Sequence, residues 1–332
     1  MSLASLGGAA KGDAPSSGVQ TTLRGEWDRV RASSEVSVPE VSIVVPSVNG
    51  FADLSGCLRA LGDGTASVAH EVLVVDRVGA ELRAAVRRDF PDVRLLECPP
   101  GTTIPDMRAL AFETARAPAV AIIEDHVLVP AGWARRMVDA LTDAAAVGGG
   151  VANAATGSIV DWAAFLCEYS HLLPPLPAGP VESIAGNNTI YRRDAVLAHR
   201  AALGHGQWED HLHQALRLSG ETLVCRPDIV VDHKMHYTFW EYFTQRYLYA
   251  RSYAGARLAS RSAAARLAYG AAALALPPLL FWRVVSRVYA RGVHRAELVQ
   301  SLPLLAAFVC AWAAGEVVGA WFGPGDALSR VC

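Results

Sequence analysis

The stretch Ala119–Trp133, AVAIIEDHVLVPAGW, constrains the fold of this chain more than any other. Its apolar residues run without a polar break into Glu124-Asp125-His126, and a second short apolar run ends at Pro130 and Gly132. Val, Ile and Leu bounded by turn residues predict a strand buried on both faces, with the acidic pair where that strand emerges. In an open α/β sheet, ligands bind beyond the carboxyl ends of such strands. Two carboxylates at that position are costly unless something positive shares the site. Carboxylates with an imidazole suit a divalent cation bridging to a phosphorylated substrate. Oxygen ligands favour magnesium or manganese, and manganese tolerates imidazole. A solvated strand end with an incidental turn is the competing reading.

Strand and helix signals alternate ahead of this stretch. Strands are predicted over Val41–Pro46, Glu71–Asp76 and Val93–Leu96, and helices over Leu54–Leu61, Ala80–Phe90 and Asp106–Ala117. That succession implies an α/β fold with a mostly parallel central sheet. No GxGxxG follows the first strand and no GxxxxGK[ST] occurs, which disfavours a dinucleotide oxidoreductase and a P-loop NTPase. Beyond Trp133 a helix is expected to Asp143, then a strand over Val147–Val151. The glycines at 148–150 either let backbone approach a ligand or loosen that strand. A helix over Ile159–Tyr169 precedes the proline-rich loop His171–Pro180. A polar turn at Gly186-Asn187-Asn188 leads into a short strand, Trp208-Glu209-Asp210 opens a helix placed over Gly206–Gly220, and the strand Leu223–Asp232 runs into His233-Lys234-Met235-His236.

The 332 residues suffice for a full core, and a formal net charge of −2 gives no basic field for nucleic acid. Six cysteines are scattered without metal or redox spacing, as expected of buried thiols in a reducing compartment. Residues 1–40 read as a flexible tail with a short helix around Gly25–Ala32, and the first thirty lack the apolar core of a signal peptide. The C-terminal third differs. A helix expected over Phe239–Leu267 mixes Arg and Tyr, as in a lipid headgroup region. Leu267–Trp282 and Leu298–Phe322 are near membrane length, and the polar part before them leaves them little else to pack against. Arg283, Arg287, Arg291 and Arg295 recur every four residues, and Pro277-Pro278 interrupts the first apolar segment. These features predict a re-entrant or shallow first segment, an Arg-striped interfacial helix at 283–295 and a more regular insertion at 298–322, with a plain two-span hairpin as the rival. The expected layout is therefore a tail (1–40), a catalytic domain (41–237), a juxtamembrane helix (238–266), membrane-associated helices (267–322) and a short tail (323–332).

Five pieces in a fixed order, VSIVVPSVN (41–49), EVLVVD (71–76), IIEDHVLVPAGW (122–133), AGNNTIYRRDAV (185–196) and WED (208–210), resemble the family 2 glycosyltransferases, enzymes of the GT-A fold that use nucleotide-activated sugars. The resemblance covers roughly Val41–Tyr253, and the apolar tail resembles that of membrane-bound members. It implies that Pro46, Ser47 and Asn49 enter a nucleotide cleft and that Asp76 helps hold the base or ribose. It also implies that Glu124, Asp125 and His126 stand in the place of an Asp-x-Asp motif binding Mn2+ or Mg2+. Glu124 and His126 replace the usual aspartates there. Asp210 resembles the general base with Glu209 as its support, and Gly186, Asn187 and Asn188 resemble the lining of the sugar and acceptor pocket. Gln245, Arg246 and Arg251 fall near the family's helix behind the pyrophosphate. The QxxRW pattern of processive synthases is not reproduced. His233 or His236 offers a further metal or phosphate contact, against an ordinary polar role near a strand end.

What the resemblance implies is inverting, metal-dependent transfer from a nucleotide-diphospho-sugar donor to a hydroxyl or phosphate of a lipid-linked or membrane-presented acceptor, on a cytoplasmic catalytic domain bound to membrane lipids. A sugar nucleotidyltransferase would share the metal and nucleotide cleft without needing Asp210 or the apolar tail. A non-catalytic nucleotide- or sugar-binding membrane protein is the third reading.

Overall fold

The apolar runs form strands because each buries both faces, and their residues alternate between two cores with the period of the pleat. Val41, Ile43 and Val45 belong to one core with Val72 and Val74, while Val44 belongs to the other with Leu73 and Val75. A computed structural model describes residues 38–204 and 207–331. The expected tail with its helix at Gly25–Ala32 lies outside the described residues, apart from 38–40, as does Gly206.

In chain order the elements are β1 (Val41–Ser47), α1 (Phe51–Thr65), β2 (His70–Asp76), α2 (Ala80–Asp89), β3 (Arg94–Glu97), α3 (Ile104–Thr114), β4 (Ala119–Ile123), β5 (Val127–Leu128), α4 (Trp133–Ala140), β6 (Ala146–Asn153) and α5 (Ile159–Tyr169). There follow β7 (Gly179–Pro180), β8 (Asn188–Arg192), α6 (Arg193–Ala198), α7 (Glu209–Leu218), β9 (Leu223–His233), α8 (Phe239–Arg257), α9 (Ala263–Ala273), α10 (Leu276–Arg291) and α11 (Arg295–Phe322).

Among the described residues the strands form one sheet in the order β3-β2-β1-β4-β8-β6-β9-β5, with β7 on β9. The first four of that order are parallel. β8 then runs antiparallel between β4 and β6, and β6 and β9 are parallel. The sheet is thus mixed, and its reversal at β8 builds the site. It sets Asn188 opposite Ile123, so that the end of β4 meets the start of β8. β9 brings His233 to the same rim, paired with Val127. One core packs α1 and α4 through Leu54, Leu58, Leu61 and Met137, and the other packs α3 and α7 through Met107, Phe112, Leu212 and Leu216.

The glycines at 148–150 serve the sheet itself. A Cβ on Gly149 would stand 1.9 Å from the Ile229 carbonyl, at the point where the β6–β9 register shifts. The close approach is to the chain's own backbone and needs no side chain there.

The C-terminal third departs from expectation at the end of its first helix and in the arginine stripe, while the break expected near Pro277-Pro278 is present as a bend between two helices. The helix predicted to reach Leu267 ends at Arg257, and α9 and α10 follow with a 53° bend between them. Pro277 and Pro278 fall in the first turn of α10, where a missing N–H costs nothing. The stripe predicted over 283–295 is broken by left-handed backbone at Gly292 (φ 76°) and His294 (φ 54°), so Arg295 opens α11 instead. α11 is the one described helix long and apolar enough to cross a membrane alone, with a mean hydropathy of 1.8, and α9 with α10 qualifies only as a bent pair. Yet 44% of that apolar window is buried, because α11 packs along α8 and α5. Cβ atoms on Gly315 and Gly319 would lie 2.3 Å from the Tyr247 carbonyl and 2.4 Å from the Arg251 carbonyl, so these glycines set how closely α8 and α11 approach.

Candidate metal centre and substrate cleft

At the rim where β4 and β9 end, Glu124, His126 and His233 converge. The two Nε2 atoms face each other at 2.9 Å, Glu124 Oε2 is 3.4 Å from His126 Nε2, and His233 Nε2 is 4.0 Å from Glu124 Oε2. Ligands ~2.1 Å from a divalent ion stand about 3.0 Å apart at right angles and about 3.4 Å apart at tetrahedral angles. Two edges of the triangle match these spacings and the third, at 4.0 Å, is wider, so all three atoms can reach one ion lying close to their plane. Two imidazoles and one carboxylate form a donor set that fits manganese and other transition ions better than magnesium.

The electrostatics suit a cation. Burial opposes charge on His126, but hydrogen bonds to Asp125 and Glu124 outweigh it and raise its pKa to about 10. Burial first, and then the charge on His126, push His233 down to about 3. The same acceptors that favour a proton on His126 favour a metal ion in its place, since an imidazole binds a metal only after losing that proton. Glu124 is lowered to about 2 against its burial, by its hydrogen bond with His126, the His126 charge and Arg108.

Asp125 does not join this group, although the sequence placed it among the metal ligands. It is fully buried, and Oδ2 accepts the Val48 N–H at 2.8 Å and the Asn49 N–H at 2.9 Å. Oδ1 accepts Asn49 Nδ2 at 2.7 Å. Oδ1 also stands 3.1 Å from His126 Nδ1, so Asp125 braces the His126 ring from outside the triangle while it anchors the loop after β1, with Asn49 also 3.2 Å from His126 Nδ1. His236 also stays outside, bound to Asp161 at 3.0 Å.

Beside the triangle lies a cleft of about 560 Å³ that runs from Glu124, Gly186 and Asn187 past Glu209 and Asp210 to Arg246, Arg283 and Arg287. Asn187 Nδ2 donates to Glu124 Oε2 and to the Tyr169 hydroxyl, both at 3.1 Å. Asp210 lines the cleft and meets the Tyr253 hydroxyl. Among the described residues, six buried side-chain polar atoms have no hydrogen-bond partner, and four of them, Arg108 Nε, Asn187 Oδ1, Trp208 Nε1 and Arg246 Nε, belong to residues of this cleft. Buried polar atoms are rarely left unpaired, so their concentration here marks a surface built to meet a polar ligand.

Arg108 is the functional group that sequence reasoning missed. It is 5% exposed, ion-paired with Glu209, and 3.6 Å from Glu124. One cation thus links the metal-facing carboxylate to the helix start carrying Glu209 and Asp210. The signal existed. Ile104, Met107, Arg108, Ala111 and Phe112 are the buried face of α3, so Arg108 is a charge at a core position. Tyr169, Glu168 and Trp312 also line the cleft and carried no motif.

Several predicted contacts are turned elsewhere. Asp76 is fully buried, accepts the Val78 and Gly79 N–H groups at 3.0 and 3.2 Å, and pairs with Arg83 at 2.8 Å. Its carboxylate closes the turn into α2 rather than facing a base. Asn188 is also internal. It donates to the Gly150 and Ile229 carbonyls at 2.8 and 3.0 Å and accepts Trp133 Nε1 at 3.0 Å, tying β8 to β6 and β9. Arg251 reaches the Gly323 carbonyl at 3.4 Å, and Gln245 the Arg330 carbonyl at 3.4 Å, so both hold the C-terminal segment. Arg246 does face the cleft, 3.4 Å from Glu168 and stacked over Trp312 at 4.4 Å. Ser47 is fully buried with its hydroxyl unpaired. Pro46 lines a narrow gap of about 20 Å³ between the loop after β1 and the triangle. The C-terminal segment packs beside that gap, with Ala327 and Val331 against Ile104, Trp208 and Leu248, and Arg77 donating to the Val331 carbonyl.

This architecture is the GT-A-like α/β fold with a C-terminal apolar helix. No protein-family model matches the chain, and no curated protein matches it. Among solved structures it is similar to a mannosyltransferase from Pyrobaculum calidifontis in complex with GDP-Man and Mn2+, with a TM-score of 0.52 and 16% identity over 90% of this chain and 95% of that one. Weaker likenesses are to S. aureus TarS 1-349 (TM-score 0.44, 13% identity, 84% of this chain and 90% of that one) and to GalNAc-T7 with UDP, GalNAc and Mn2+ (0.46, 12%, 60% and 44%). At 16% identity the likeness to the mannosyltransferase concerns the fold alone.

Proposed function

We propose that this protein is an inverting, metal-dependent glycosyltransferase that moves a sugar from a nucleotide-diphospho-sugar to a membrane-presented acceptor. The observation that carries the reading is the cleft itself. A metal-sized triangle, a polar wall with unpaired buried atoms and a carboxylate at a helix start share one rim of a GT-A-like sheet. The fold shared with a mannosyltransferase solved with GDP-Man and Mn2+ adds support by analogy.

Glu124, His126 and His233 would hold the ion, and their two imidazoles favour manganese over magnesium. When bound, it offsets the charge that develops on the diphosphate leaving group. Arg108 orients Glu124 and pairs with Glu209, which leaves Asp210, held by the Tyr253 hydroxyl, as the carboxylate of α7 that faces the acceptor. Asp210 takes the proton as the acceptor hydroxyl oxygen attacks the anomeric carbon, and the bond from that carbon to the diphosphate oxygen breaks. A single displacement inverts the configuration. The catalytic face is on the cytoplasmic side in this reading, with α11 and the α9–α10 pair against the bilayer.

The test is calorimetric binding of a panel of nucleotide sugars and free nucleotides to detergent-solubilised protein, with manganese, with magnesium and with chelator. Binding of one nucleotide sugar that needs manganese and is lost on chelation is expected. A folded sample that binds no nucleotide with either metal would sink the transferase reading.

A further inference from the structure

α10 carries two unlike faces. Leu276, Leu280, Arg283, Val284 and Arg287 fall at helical spacing on one side, while Leu279, Trp282 and Tyr289 are exposed on the other. The first face lines a second cavity of about 320 Å³, closed by Val309 of α11, Tyr269 of α9 and Cys167 of α5. This cavity and the 560 Å³ cleft share Arg246, Arg257, Arg283, Arg287, Trp312 and Glu316, so one ring of guanidinium groups lines both.

The charges in that ring do not balance. Arg246 has Glu168 at 3.4 Å, and Arg257 has Glu316 at 2.9 Å. Arg283 and Arg287, one turn apart on the same face, have no carboxylate within ion-pair distance among the described residues. The other two arginines of the sequence stripe are engaged: Arg291 donates to the Pro175 carbonyl, and Arg295 stacks on Tyr289 at 4.4 Å. Like charges one turn apart repel, so the Arg283–Arg287 pair is stabilised by an anion. Guanidinium groups match phosphate oxygens in geometry as well as charge.

We propose that Arg283 and Arg287 seat the phosphate of an amphiphilic acceptor, whose apolar chain lies along Leu276, Leu280, Val284 and Val309 and whose reacting hydroxyl extends toward Asp210. This rests on the transferase reading above. The phosphate is the anchor and a hydroxyl is the nucleophile, because a terminal phosphate is already ionised near pH 7 and needs no base. The acceptor class is therefore a lipid-linked phosphate or diphosphate bearing a sugar or another hydroxylated group.

The experiment measures calorimetric binding of a short isoprenyl phosphate, the matching isoprenyl alcohol and inorganic phosphate to the full chain in detergent. The proteins compared are the parent, Arg283→Gln/Arg287→Gln and Arg283→Lys/Arg287→Lys. The isoprenyl phosphate should bind the parent more tightly than either the alcohol or inorganic phosphate. The glutamine pair should weaken it by about tenfold to a hundredfold, and the lysine pair should restore part of the loss. Thermal unfolding of the same samples in chelator should match the parent's and reports that the variants are folded. Equal binding of the alcohol, or unchanged binding by the glutamine pair, overturns the proposal. Inorganic phosphate binding as tightly as the isoprenyl phosphate makes this a free-anion site and also overturns it. A parent that binds the isoprenyl phosphate through this pair but no nucleotide refutes the transferase reading and leaves the subsite standing.

Discussion

Asp125 offers the sharpest test of whether the tripeptide acts as the geometry says. Replacing it with alanine leaves the Val48 and Asn49 N–H groups and Asn49 Nδ2 without their acceptor. A buried donor stripped of its partner costs roughly 1–3 kcal/mol, and partial entry of water brings the sum for three to about 3–5 kcal/mol. A folded unit of roughly 300 residues unfolds with an entropy near 2 cal/mol/K per residue, which converts this to a fall in Tm of about 5–8 °C. The assay is thermal unfolding of detergent-solubilised parent and Asp125→Ala, followed by intrinsic fluorescence with manganese and with chelator. An anchoring role gives a fall of this size already in chelator, and the loss of its contact with His126 adds to it in manganese. A metal-ligand role confines the fall to the manganese sample, because only there is a ligand lost. A variant that melts with the parent in chelator refutes the reasoning.

Asp210→Asn should keep donor binding within about twofold while lowering transfer by roughly 10²–10⁴, and turnover equal to the parent's in a radiolabelled-sugar assay would remove Asp210 as the base. Gly319→Val drives a Cβ to 2.4 Å from the Arg251 carbonyl, so it should cost about 1–3 kcal/mol or more in an unfolding assay. A neutral outcome would mean that α11 does not pack on α8. Hydrogen bonds from Ser42, the Arg116 N–H and Arg94 outweigh burial and hold Glu71 below its usual range. A carboxylate depressed in the folded state adds stability that is present above its unfolded pKa and is lost as pH falls through the folded one. Glu71→Gln should therefore cost about 1–2 kcal/mol at pH 7 and flatten the parent's acid limb, and identical acid-unfolding curves would exclude this role.

How much of this was legible beforehand follows from the range of each interaction. The strands from β1 to β4 could be read because burial on both faces demands unbroken apolar runs, and a carboxylate at the end of such a run stands out locally. Gly186, Asn187, Glu209 and Asp210 are implied by the resemblance to the family 2 glycosyltransferases and by no local pattern, and all four line the cleft. What a side chain at a strand end faces is another matter. Asp125 and Asn188 look like site residues and are turned inward, because each satisfies backbone or indole donors that become neighbours only after the chain folds, while Asp76 closes a local turn onto the Val78 and Gly79 N–H groups.

The sequence by itself determined the α/β alternation, the rim on which the site lies, and the presence of an apolar C-terminal third, since all three are set by local periodicity and composition. Tertiary structure decided the rest. His233 meets His126 across 107 residues of chain because β8 reverses the sheet and β9 returns to the rim. Arg108 joins Glu124 to Glu209 because α3 packs beneath both. Arg283 and Arg287, which as a linear stripe resemble a membrane-surface helix, end at the cleft because α8 and α11 pack closely enough at Gly315 and Gly319 to carry α10 over it. Periodicity fixes which face of an element is apolar, but the partner of each polar group is chosen by non-local packing.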